Sequence, residues 1–125
     1  PIAHNTHTYP LKNQAINVLV AANTPAGKGL AVDYKISESL PLKVACDFHP
    51  WMQAYWMVVD HPYAAVTDKE GKFTIPNLPV GEHEFRVWHE RKGYLNRKYA
   101  VKVQKGDNAL KTMEIKIDDL KGEAK

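Results

Sequence analysis

The chain has 125 residues, of which 44% are hydrophobic and 25% charged, with a formal net charge of +3. This balance fits one globular domain, or one and a fraction, and excludes a disordered chain. The single cysteine excludes an internal disulfide framework, and no run approaches the roughly 20 apolar residues of a membrane span.

In chain order, Pro1 opens neither a basic nor an apolar signal segment, and there is no initiator Met. A processed or incomplete product is therefore expected. His4-Asn5 and His7 follow at once. Strands are predicted at Ile16–Ala22 and Leu30–Ile36, then at Leu42–Cys46. In this third run Leu42, Val44 and Cys46 alternate with Lys43 and Ala45, which turns Cys46 toward the core. After the segment Cys46–Met52 come strand predictions at Ala54–Val59, Phe73–Ile75, Glu84–His89, Lys98–Val103 and Thr112–Ile117. The turns between them are Asp68–Gly71, Pro76–Gly81 and Lys105–Asn108, rich in Gly, Pro, Asn and Asp. No helix is predicted. Short strands at this spacing point to an all-β sandwich or barrel. A soft boundary at His61-Pro62 divides the chain into 1–60, 61–118 and a polar tail, 119–125.

The densest basic stretch is HERKGYLNRKY, with Arg91-Lys92 and Arg97-Lys98 beside Tyr94 and Tyr99. Its acidic neighbours and shortness read as a solvated hairpin end, and no nucleic-acid partner is expected.

The chemistry is concentrated in Cys46-Asp47-Phe48-His49-Pro50-Trp51-Met52. A thiolate, an imidazole and a thioether lie within one short loop at the end of a strand. Soft sulfur with imidazole suits copper, and two His, one Cys and a weak Met form the ligand set of blue-copper electron transfer. His4 is the candidate second imidazole. Pro50 stiffens the loop and removes a backbone donor.

The loop CDFHPWM resembles the ligand loop of the cupredoxins, its Cys-x-x-His-Pro-aromatic-Met spacing being similar to that of amicyanin. His4-Asn5 resembles the upstream His-Asn pair of plastocyanins and amicyanins. The resemblance covers about residues 1–60. The segment HPYAAVTDKEGKFTIPNLPVGEHEFRVWHE resembles the carboxypeptidase-regulatory or transthyretin-like β-modules. Together they are similar to the planctomycete cupredoxin-like proteins that carry a methylamine-utilisation label. The resemblance implies a cupredoxin-type Greek-key sandwich followed by a small transthyretin-like module. It also implies one copper ion, cycling between Cu+ and Cu2+, held by His4, Cys46, His49 and Met52. Asn5, Asp47 and Pro50 would brace that site, with Pro50 and Trp51 at a docking surface for redox protein partners. The implied role is non-enzymatic one-electron transfer in the periplasm or another extracytoplasmic space, with a place in a larger assembly open. Two departures stand out. Only three residues precede His4, so the strands that come earlier in the family are expected to be missing or supplied from elsewhere. Asp47 stands where the family often has Thr or Ser, and a carboxylate there would favour the oxidised metal and lower the potential.

Other readings remain open at this level. Cys46 could be a small buried hydrophobe and Met52 a core residue, leaving a structural or interaction module with a vestigial site. Thiolate and imidazole also suit zinc without redox chemistry. A Cys–His hydrolase fits poorly, because no orienting or oxyanion group is recognisable. His7 could assist or compete for the metal. His61 reads as a turn residue, and His83 and His89 share strand parity with Phe85 and Val87. Trp56 and Trp88 read as packing residues.

Overall fold

The computed structural model describes residues 2–121, which are predominantly β with two separate antiparallel sheets. The chain divides into two compact units, Pro1–Ala64 and Ala65–Lys125.

The first unit contains β1 (His4–Tyr9), β2 (Asn17–Val20), β3 (Leu42–Ala45) and β4 (Gln53–Trp56). They form one antiparallel sheet in the order β2-β1-β3-β4. The register pairs His4 with Val20 and His7 with Asn17 across β1–β2. It pairs His7 with Ala45 across β1–β3 and Ala45 with Gln53 across β3–β4. Alternation along the strands therefore gathers His4, Thr6, Thr8, Val18, Val20, Leu42, Val44 and Trp56 on one face. Asn5, His7, Tyr9, Asn17 and Lys43 lie on the other. Thr8 is completely buried, Leu42 is 3% exposed and Cys46 is 6% exposed, so the best-packed part of the unit runs along β3.

Glu38 ties two loops of this unit together. Its carboxylate accepts hydrogen bonds from the backbone N–H groups of Leu11, Lys12 and Asn13 and from Asn13 Nδ2. Burial opposes its charge, but the Asn13 side chain and these N–H groups outweigh that and bring its pKa down to about 2.

The second unit contains β5 (Gly81–His89) and β6 (Gly93–Val103), a hairpin whose register runs from Gly81↔Val103 to His89↔Gly93. A bulge interrupts it around Val87. Gly93 sits at φ +79°, left-handed space that favours glycine, and closes the turn after Glu90, Arg91 and Lys92. Val101 and Val103 are its buried apolar residues. A single helical turn, α1, spans Ile117–Leu120.

Several predicted elements differ. His4–Tyr9 is a central strand although no strand was predicted there; its alternating Thr6 and Thr8 are the β-forming signal. Leu30–Ile36 keeps an alternation, with Val32 and Tyr34 half-buried, but joins no ladder. The N–H groups of Lys35 and Ile36 instead donate to Asn13 Oδ1. Phe73–Ile75 and Thr112–Ile117 also lie outside the sheets. In the latter, Met113, Ile115 and Ile117 are 38%, 39% and 78% exposed, so the pattern has no partner face to bury it. Ile117 begins α1, where no helix was predicted. The turn at Asp68–Gly71 does form, with Asp68 Oδ1 accepting from the N–H groups of Glu70 and Lys72, but no strands flank it. The last four residues of the predicted polar tail lie outside the described residues. No helix among the described residues is long and apolar enough to cross a membrane.

Candidate metal centre

The segment between β3 and β4 is a hairpin loop closed by its own backbone. The Cys46 N–H donates to Met52 O at 3.0 Å, and the Met52 N–H donates to His49 O at 2.8 Å. The loop thus returns on itself around the cysteine, and His49 comes back toward the sulfur from which it started.

His4 reaches the same point from β1. Paired residues of β1 and β3 have numbers summing to 52, as in His7 with Ala45 and Thr8 with Val44. Continued past the last pair, this register sets Asn5 beside Asp47 and His4 beside Phe48. The start of β1 is therefore directed at the ligand loop.

Three donors converge there. Cys46 Sγ lies 3.5 Å from His49 Nδ1 and 3.8 Å from His4 Nδ1. The ligand atoms of His4, Cys46 and His49 all lie within 4.8 Å of one another. The two imidazole rings are 4.8 Å apart between centroids and inclined at 50°. Whether one ion fits can be tested from these separations. With a metal–sulfur bond of about 2.3 Å and metal–nitrogen bonds of about 2.0–2.1 Å, 3.5 and 3.8 Å correspond to angles of about 107° and about 122°. Both sulfur–nitrogen separations are in the range of tetrahedral or trigonal coordination, and the three residues are close enough to hold a metal ion.

Cys46 is a free, buried cysteine. Burial opposes its ionisation, yet its pKa is lowered, because the Asn5 N–H, the His4 side chain and the N–H groups of Phe48 and His49 stabilise the thiolate. The arrangement favours the protonation state that a metal requires.

Asn5 holds the loop to the sheet. Its Oδ1 accepts the Asp47 N–H at 2.6 Å, while its Nδ2 donates to Asp47 Oδ2 at 2.7 Å and to Asn17 Oδ1 at 2.8 Å. Asp47 also accepts from Asn17 Nδ2 and pairs with His7 Nδ1 at 3.0 Å. Its carboxyl titrates below the ordinary range, first because of His7 and then because of Asn5. His7 therefore lies on Asp47, on the face of β1 opposite His4, and outside the converging donor group. Tyr9 stacks on His7, with ring centroids 4.3 Å apart. Asn17 and Tyr9, which carry no signal of their own in the sequence, complete this cluster. The i, i+2, i+4 spacing of Asn5, His7 and Tyr9 would have grouped them once β1 was recognised as a strand.

The remaining predicted residues are distributed as follows. Met52 contributes its backbone to loop closure, and the residue is 41% exposed. Pro50 is exposed, Trp51 is 76% exposed, and the Trp51 ring centroid is 5.3 Å from that of His49. The other histidines have local partners: His61 Nδ1 accepts the Tyr63 N–H, His83 Nε2 donates to Pro79 O, and His89 Nδ1 accepts the Arg91 N–H. No family model matches the chain, and no curated protein or solved structure is significantly similar to it.

Proposed function

We propose that this protein is a one-electron carrier of the cupredoxin type, with a mononuclear type 1 copper held by His4, Cys46 and His49 and weakly by the Met52 thioether. The observation that carries this reading is the 3.5 and 3.8 Å approach of two Nδ1 atoms to one buried thiol, within a loop closed by hydrogen bonds. Bound copper would supply the one-electron redox couple. The chain's own contribution is to hold its donors still. Cys46 is fixed at the end of β3, His4 comes from the neighbouring strand, and His49 is returned by the closed loop. Ligands fixed in this way reorganise little between oxidation states, which keeps transfer fast.

His49 also lies beside an exposed aromatic ring. Trp51 and Pro50 would form the docking surface for redox protein partners in an extracytoplasmic compartment. The unit Ala65–Lys125 would be the transthyretin-like module, with no enzymatic role. Zinc is the second reading, favoured by the same donor separations, since zinc also accepts thiolate and imidazole at tetrahedral angles.

Cu(II) added to the purified protein tests the proposal. An intense visible band from thiolate-to-copper charge transfer is expected, and Cys46→Ser should abolish it. A colourless protein that retains zinc in stoichiometric amount would overturn the redox reading.

A further inference from the structure

The polar cluster behind the candidate metal centre carries more than loop support. Asp47 follows the thiolate residue directly, and its carboxylate is fixed by three side chains: Asn5, Asn17 and His7. Asn5 and Asn17 are neutral amides. His7 alone in that set can change its charge near neutral pH. Because the carboxylate accepts from Nδ1–H, the neutral ring has its free lone pair on Nε2, and a proton taken up there creates an imidazolium. The His7 side chain is 27% exposed, so exchange of that proton with water is open.

We propose that His7 sets the reduction potential of the site through Asp47, coupling the arrival of an electron to uptake of a proton on its own ring. This rests on the electron-transfer reading above. The Asp47 carboxylate next to Cys46 favours the more positive oxidised site. A charged His7 cancels that carboxylate and favours the reduced one. On reduction, one electron enters from a one-electron donor and one proton passes from water to His7 Nε2. Reoxidation returns both, so the charge of the site and pair together stays constant. His7 is a positioning residue, since it acts on the centre only through Asp47.

Few other groups face it. On its own strand Tyr9 brings a hydroxyl 3.1 Å from Nδ1. Lys43 of β3, paired with Tyr9, shares this face. From β2 comes the amide of Asn17, and across from His7 on β3 is Ala45.

The test uses the full chain loaded with copper, with ascorbate as reductant, over the pH range in which the visible thiolate band is intact. The reduced-to-oxidised ratio at fixed applied potential should fall with rising pH by up to about tenfold in total, equivalent to about 59 mV for one electron. His7→Gln, which keeps an amide donor for Asp47, should give a flat profile at the level of the wild type's alkaline limb. A second measurement needs no variant. The His7 ring resonances of the wild-type protein should titrate at higher pH in the Cu(I) form than in a Zn(II) form standing for the divalent state. A His7→Gln profile as steep as wild type, or identical ring titration in the two metal forms, overturns the inference while the band remains. Loss of the band in the wild type instead removes the electron-transfer reading beneath it.

Discussion

Asn5 and Asp47 meet two register positions beyond the last β1–β3 pair, His7 with Ala45, where the side chain of Asn5 takes over from the backbone ladder. Its Oδ1 accepts the Asp47 N–H at 2.6 Å, while its Nδ2 donates to the carboxylate of the same residue at 2.7 Å. One amide thus locks both the backbone and the side chain of the residue that follows Cys46. Ligand geometry in this loop depends on a residue that contributes no side-chain ligand.

Asn5→Ala should therefore weaken metal binding without removing a donor. Loss of such outer support typically costs about 10–100-fold in affinity. It also leaves the Asp47 N–H without its acceptor, a destabilisation of about 1–3 kcal/mol. Competitive titration with a chelator measures the first effect, and urea unfolding the second. Unchanged affinity would show that the loop is held by its own closure alone.

His4 comes from a separate strand, so its imidazole can be removed while the Cys46–Met52 loop stays closed. His4→Gly should lose the visible band of the copper form or shift it strongly, and millimolar imidazole should restore it. Absorption spectra with and without added imidazole check this. No response to imidazole would mean that His4 does not face the ion.

Glu38 predicts acid sensitivity in the first unit. Its folded-state pKa of about 2 is below its unfolded value of 4.5, so the folded state binds the proton less readily. The stability this group contributes is fully present above pH 4.5 and disappears as pH falls through about 2. Glu38→Gln should lower the Tm at pH 7 by several degrees and flatten its decline between pH 4.5 and 2. Thermal melts of the two proteins across that range are the measurement. Parallel curves would exclude Glu38 as the cause.

Trp51 is 76% exposed and contributes little to packing. Trp51→Ala should leave stability within about 0.5 kcal/mol of the parent. The metal spectrum should also be unchanged, while electron exchange with a protein partner slows. Stopped-flow kinetics with a redox protein, compared with a small inorganic reductant, separates docking from intrinsic transfer. Equal slowing with both reagents would place the effect at the metal and not at the surface.

Some of this organisation was legible in the sequence, for local reasons. Alternation from Leu42 to Cys46 directed the cysteine inward, and Cys46 is 6% exposed. The tight spacing of Cys46, His49 and Met52 already confined a thiolate and an imidazole to one loop, because few residues separate them. Gly, Asn and Asp marked the turns. These features depend on neighbours a few positions apart, which the chain order specifies directly.

The tertiary structure decided what depends on distant partners. Periodicity indicated how Leu30–Ile36 and Thr112–Ile117 could be buried, but a strand exists only where another backbone completes its ladder. For His4–Tyr9 the reverse held: a largely polar segment became a central strand because β2 and β3 flank it. The same pairing brought His4 across 42 residues to Cys46 and sent His7, three positions further on, to Asp47 on the opposite face. Strand parity and register assigned those two imidazoles to different sides of the sheet, and neither could be read from composition or local spacing alone.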